Sequence, residues 1–368
     1  MEALLQGLSA MTYKHWVMII IGLVLIYLAI KKEYEPMLLL PIGFGAILTN
    51  IPMSSAVGPD GFLTILYNVG IKTELFPILI FIAVGAMIDF SPLLKQPVML
   101  FFGAAAQFGI FAAMFLAAST GRFNIQEAAA IGIIGAADGP TSIFVGNKFA
   151  KDYLGAITVA AYSYMALVPL IQPPVIRALT TKKERQIRMD ADYDVKVSKK
   201  VLIFFPIMVT IVAGIVAPMS VALVGSLMFG NLIRECGVLD RLSKSAQNEL
   251  ANLVTLLLGI TIGSTMVADK FLSPDTLMIL AIGLLAFVFD TAGGVLFAKF
   301  VNLFLKKKVN PMIGAAGISA FPMSARIIQK MAQEDDPQNF ILMQAIGANV
   351  AGQIGSVIAG SVLITLLS

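Results

Sequence analysis

The chain has 368 residues, 58% of them hydrophobic and 13% charged, with a net charge of +4. Globular chains carry about 25% charged residues, so a water-soluble domain is excluded and an integral membrane protein fits. A single Cys and a single His exclude an intrachain disulfide or a metal centre built on those side chains, and no basic patch interleaved with aromatics points to nucleic acid.

Uncharged runs mark the candidate spans, because about 20 apolar residues cross a hydrocarbon core of about 30 Å. The stretch before Trp16 is mixed and polar, and no cleavage site follows it, so no cleaved leader is expected. His15 and Trp16 precede the first apolar run, at residues 17–30, where such side chains anchor at the bilayer surface. Further runs follow at 37–51, 75–88, 97–119, 128–147 and 153–176. Residues 177–200 are rich in Lys and Arg and read as a solvated cytoplasmic linker. The run 201–233 would make one helix of roughly 50 Å, too long for a single span. It is therefore read as two, joined at Ala217-Pro218-Met219-Ser220. Runs at 250–268, 277–304, 309–325 and 340–367 complete the chain. This gives a first transmembrane repeat over 1–176, a linker over 177–200 and a second repeat over 201–368. All spans are expected to be helical, since the runs are too long and too uniformly apolar for barrel strands.

One stretch stands out. Residues 135–144 read G-A-A-D-G-P-T-S-I-F and place a single carboxylate, Asp138, inside an apolar segment. An acid at membrane depth costs roughly 2.5–3.5 kcal/mol even on lenient insertion scales, which makes it a functional candidate. The Gly139-Pro140 pair is expected to break the helix there. Freed carbonyls beside a carboxylate suit a small hard cation. The bland reading is that Asp138 only caps a helix.

The two halves resemble each other at an offset of about 180 residues. Pro36-Met37 and Asn50 match Pro218-Met219 and Asn231, and Gly135-Ala136-Ala137 matches Gly314-Ala315-Ala316. If the Gly-Ala-Ala segments are broken or re-entrant, about five helices cross in each half and the repeats have inverted topology. The expected fold is an all-α polytopic membrane protein of two such repeats. The second copy carries no acid and offers neutral oxygens at Asn310, Ser319 and Ser324. One carboxylate with neutral oxygens balances one monovalent cation. Asp290, which opens D-T-A-G-G in a long apolar run, is a further candidate ligand.

Longer motifs are A-Y-S-Y-M-A-L-V-P-L-I-Q-P-P from Ala161, N-P-M-I-G-A-A-G-I-S-A-F-P-M-S-A-R from Asn310 and N-V-A-G-Q-I-G-S from Asn349. With the Asp138 motif, the chain resembles the beta subunit of the biotin-dependent, sodium-pumping decarboxylases over nearly its whole length. The resemblance implies a subunit that decarboxylates carboxybiotin, consumes a proton and exports sodium across a bacterial cytoplasmic membrane. It implies that Asp138 is the central sodium-binding and proton-coupled acid, with Asn310, Gly314, Ser319, Asn349 and Tyr162 around the ion. Tyr164 and Arg326 would join Asp138 in the chemistry, and the Arg326 guanidinium presents a planar fork suited to the carboxylate of carboxybiotin. The implied partners are a carboxyltransferase alpha subunit, a biotin carrier and a small membrane anchor subunit, in a complex holding several copies of this chain. Decarboxylation substrates of the family are oxaloacetate, glutaconyl-CoA and methylmalonyl-CoA, and the short chain leans to the acyl-CoA types. Read without the family, the same residues also suit a stand-alone sodium/proton antiporter or a sodium-coupled carboxylate transporter. Without it, too, Arg326 is a topology charge and the two tyrosines sit at an interface belt or hydrogen-bond across helices.

Overall fold

A computed structural model describes Gly7 and residues 9–189, 196–216 and 218–368. Most of the polar stretch at the start, the middle of the basic linker and Ala217 lie outside the described residues. Every regular element among them is helical, with no strand. That is the outcome a lipid environment demands, since a helix satisfies its backbone polar groups within one segment.

The principal helices are α1 (Tyr13–Lys31), α2 (Pro36–Thr49), α3 (Leu75–Met87), α4 (Phe108–Ser119) and α5 (Gly139–Phe149) in the first half. The second half contributes α6 (Lys199–Val216), α7 (Val221–Glu235), α8 (Ala251–Gly263), α9 (Pro274–Asn302), α10 (Met323–Asp335) and α11 (Leu342–Leu367). Five helices among the described residues are long and apolar enough to cross a membrane singly: α1, Met99–Ser119, α6, α9 and α11. Two bent pairs add to them, Phe62–Ile71 with α3 at 61° and Lys151–Met165 with Val168–Leu179 at 67°. Neither bend follows from the apolar runs: a short apolar helix precedes α3, and the run 153–176 turns between Met165 and Val168. The expected division of 201–233 is present as α6 and α7, with the turn Pro218–Ser220 between them. Phe204, Ile207, Ile211 and Ile215 along α6 are exposed, as side chains facing lipid would be.

The two halves cross reciprocally. α2 packs on α8, and α3 packs on α7. Glycines permit both contacts: a methyl on Gly45 would overlap the Ile260 carbonyl, and one on Gly263 the Ile42 carbonyl. In the other crossing, Gly85 meets the Leu227 carbonyl and Gly230 the Ile82 carbonyl. Small residues let helix backbones approach in this way where lipid offers no hydrophobic drive. Polar bonds repeat the pattern. Asn50 donates through Nδ2 to the Met266 carbonyl at 2.8 Å, and Asn231 to the Ile88 carbonyl at 2.9 Å.

The described part of the linker does not float free. Arg185 pairs with Asp335 at 2.5 Å, Arg188 with Asp336 at 2.6 Å and Arg177 with Glu334 at 2.9 Å. The amides of Asn310 and Asn339 both donate to the carbonyls of Arg185 and Ile187. Residues 177–189 are thus strapped to the end of α10. Their Lys and Arg excess read as solvation because the acidic partners lie about 150 residues downstream in the sequence.

Candidate ion-binding site

The stretch that carries Asp138 breaks as its composition suggested, but earlier than expected. The helix Ile125–Gly132 tightens into a 3-10 turn at Ile133–Ala136, and Ala137 turns left-handed at φ 52°. For a residue with a Cβ that conformation costs roughly 1–2 kcal/mol, strain characteristic of functional sites. Asp138 is extended and Gly139 opens α5, with Pro140 in its first turn. Pro140 therefore starts a helix instead of ending one, as its fixed φ and missing N–H favour.

Asp138 is 3% exposed and its two oxygens are used differently. Oδ1 accepts the Thr141 backbone N–H at 3.3 Å, which is the helix cap. Oδ2 accepts three further donors: the Thr141 hydroxyl at 2.7 Å, the Ser356 hydroxyl at 2.7 Å and the Gln353 amide at 3.0 Å. The cap is real and does not account for the site. The α5 N-terminus also places a positive dipole end at the carboxylate.

The second Gly-Ala-Ala segment is also broken. Met312–Ala315 forms one helical turn, and the chain stays irregular until α10. Its freed carbonyls are held by side chains: Gln172 and Ser324 donate to Ala315, Asn349 to Ala316 and Ile318, and Gln107 to Gly317. The two broken segments meet directly, where the Ser319 N–H donates to the Ala136 carbonyl at 3.0 Å.

A cavity of about 190 Å³ opens on the carboxylate, lined by Asp138, Tyr162, Ser319 and Gln353 among apolar side chains that include Leu38 and Phe321. At about 30 Å³ per water, it holds several waters or a partly hydrated ion. Tyr162 is buried, lies over Gly139 and leaves its hydroxyl without a hydrogen-bond partner. Ser319 donates from its hydroxyl to the Gly352 carbonyl at 2.9 Å.

The other candidate residues lie apart from this cavity. Asn310 is buried where its amide holds the linker strap and its Oδ1 accepts the Met312 N–H. Gly314 is pressed against Gly294 of α9. Asn349 stands one turn before Gln353 on α11, with its amide on the broken segment and its Oδ1 unpartnered. Tyr164 donates from its hydroxyl to the Leu280 carbonyl at 2.5 Å. Arg326 is exposed on α10, and no carboxylate among the described residues pairs with it.

A polytopic helical chain with a donor-ringed acid at two broken segments has clear relatives. Residues 14–367 match the family described as the Na+-transporting oxaloacetate decarboxylase beta subunit. The chain belongs to this family. The beta subunit is 51% identical to the methylmalonyl-CoA decarboxylase subunit beta of Veillonella parvula, over 99% of this chain and 96% of the relative. It is 50% identical to the glutaconyl-CoA decarboxylase subunit beta of Acidaminococcus fermentans, over 98% and 96% of the two chains. With the oxaloacetate decarboxylase beta chain of Klebsiella pneumoniae the identity is 45%, over 99% and 98%.

Three donors to the beta subunit's carboxylate escaped the residue-by-residue reading: Thr141, Gln353 and Ser356. The signal for two of them lies in N-V-A-G-Q-I-G-S. Asn349, Gln353 and Ser356 fall at i, i+4 and i+7, one polar stripe along a largely apolar helix.

Proposed function

We propose that this beta subunit carries sodium through the membrane at Asp138 while its complex decarboxylates carboxybiotin. The observation that carries the reading is the buried Asp138 carboxylate, ringed by four donors at the meeting point of two broken segments and open to a cavity. A cation replaces donated protons with oxygen lone pairs. The Thr141 and Ser356 hydroxyls can rotate their O–H away, and the Tyr162 and Ser319 hydroxyls lie on the same cavity wall. Sodium and a proton compete for one carboxylate, so access to the cavity decides which is bound. Asn310, Gly314 and Asn349 shape the second broken segment, and Tyr164 ties its helix to α9.

Carboxybiotin brings a carboxylate whose loss consumes one proton. Arg326 is exposed, pairs with no carboxylate among the described residues and offers the fork that would hold it. Biotin arrives on a carrier subunit, charged by a carboxyltransferase alpha subunit, with a small membrane anchor and further copies of this chain completing the complex in a bacterial cytoplasmic membrane. The alignments favour an acyl-CoA substrate, since they run over 362 and 363 residues with the acyl-CoA relatives and over 426 with the oxaloacetate chain. The reciprocal crossings of α2 with α8 and α3 with α7 support inverted-topology repeats over 1–176 and 201–368, joined by the linker 177–200.

Purified complex in vesicles should take up sodium only with its decarboxylation substrate, and avidin should block uptake. Asp138→Asn should abolish sodium transport and sodium-dependent decarboxylation while carboxyl transfer to biotin continues. Sodium flux through this chain alone, driven by a pH gradient, would replace the pump with an antiporter.

A further inference from the structure

A second carboxylate lies at the level of the two broken segments. α9 is a wall common to both: Gly135 packs against Ala286 and Asp290, and one turn later Gly314 packs against Gly294. Asp290 is 0% exposed. Its Oδ1 accepts the Gly109 N–H at 2.5 Å in the first turn of α4, where the span Met99–Ser119 restarts after Gln107. Its Oδ2 has no hydrogen-bond partner and faces the backbone of Gly135, three residues before Asp138.

Among the described residues no opposite charge answers this acid. Lys299, on the same helix, lies nine residues on, roughly 14 Å at the helical rise, and is engaged with Glu184 and the Leu179 carbonyl. Tyr164, on a neighbouring helix, is bonded to Leu280, roughly 15 Å the other way along α9. From α4 come only backbone amides, and from the 3-10 turn only glycine backbone. A bare, unpaired charge in such surroundings costs several kcal/mol, whereas one unmet neutral O–H costs about 1–3 kcal/mol. Sodium does not resolve the deficit. Hard cations gather several oxygens, and Oδ2 is buried against Gly135 with no second oxygen bonded to it among the described residues.

We propose that Asp290 is a proton-binding site separate from Asp138. In this conformation Oδ2 carries the proton and Oδ1 keeps its bond to Gly109. When the Gly135 turn shifts and water reaches Oδ2, the O–H bond breaks and the proton passes to that water, leaving a carboxylate still capping α4. Because Gly135 and Asp138 share one broken segment, proton release here follows the movement that opens the sodium site.

Infrared spectra of the intact complex, without sodium, test this. Subtracting the Asp290→Asn spectrum should reveal one protonated-carboxyl C=O band that shifts in D2O over time. Asn retains the acceptor toward Gly109, and an unchanged thermal midpoint would confirm that the variant is folded. Absence of the band would mean an ionised carboxylate and overturn the proposal. A band that never shifts in D2O would mean a permanent structural acid and overturn it equally. Neither result depends on sodium binding at Asp138, which Asp138→Asn tests separately.

Discussion

Gln353 donates from its side-chain amide to Asp138 Oδ2 across 3.0 Å, joining α11 to the broken segment of the other half. Ser356 reaches the same oxygen at 2.7 Å from one turn further along. A hydrogen bond to a charged group contributes about 1.5–3 kcal/mol. Gln353→Leu should therefore raise the sodium concentration for half-maximal decarboxylation by on the order of tenfold or more. Ser356→Ala should act in the same direction. Initial rates against sodium concentration check both, and an unchanged sodium dependence would remove α11 from the site.

The membrane class, the helical spans and the break at Asp138 were legible because composition and Gly/Pro chemistry are local signals. The partners of Asp138 were less so. Gln353 and Ser356 share a polar stripe with Asn349, but nothing in a single sequence reports that α11 folds against α5 and brings that stripe to Asp138. Asn310 shows the converse. Its place in a motif beside Gly314 suggested the ion, yet its amide holds the Arg185 and Ile187 carbonyls. The ion pairs of the linker are hidden for the same reason, its acidic partners being remote in sequence. The Gly45, Gly85, Gly230 and Gly263 contacts are equally invisible locally, since a glycine in an apolar run does not name the carbonyl it admits.

Those glycines make a sharp stability prediction. A Cβ at Gly85 or Gly230 would collide with backbone, which cannot rotate aside as a side chain can. Overpacking of this kind costs typically 1–3 kcal/mol, and more where backbone must move. Gly230→Val should lower the thermal midpoint of the detergent-solubilised protein markedly and reduce its yield. Gly58→Ala makes a useful control. No atom of the described residues lies within 4 Å of the added methyl, though φ there is 103°, so only local turn strain is expected.

The linker strap should respond to pH and salt. A hydrogen bond and charge from Arg188 hold the Asp336 carboxyl below its ordinary value. A carboxyl depressed on folding contributes stability that is present above its unfolded value and lost as pH falls through the lower folded one. Acidification below about pH 4 should thus loosen residues 177–189, as should high salt, because the pair is exposed and screened. Amide hydrogen exchange of that segment at neutral and acid pH would show it, and Arg188→Gln should reproduce the loosening at neutral pH. Equal protection in all three conditions would mean that the strap is held without the Arg188–Asp336 pair, by Asn310, Asn339 and the less exposed Arg185–Asp335 pair.

Glu35 begins α2, whose next turn supplies Leu38 to the cavity wall, and its carboxylate lies within electrostatic reach of Tyr162. Its backbone is left-handed at φ 38°, it is half-buried, and no cation pairs with it among the described residues. Burial pushes its carboxyl above the ordinary carboxylate value. A carboxylate one turn of helix from the cavity wall concentrates cations and speeds their capture. Glu35→Gln should raise the sodium concentration for half-maximal rate several-fold and leave kcat unchanged, with the difference shrinking as ionic strength rises. The sign with pH follows from the upward shift: Glu35 is charged above its raised value and loses that charge as pH falls through it. Acidification should therefore weaken apparent sodium affinity in the unmodified protein more than in Glu35→Gln. Parallel pH profiles for the two would place sodium's path away from α2.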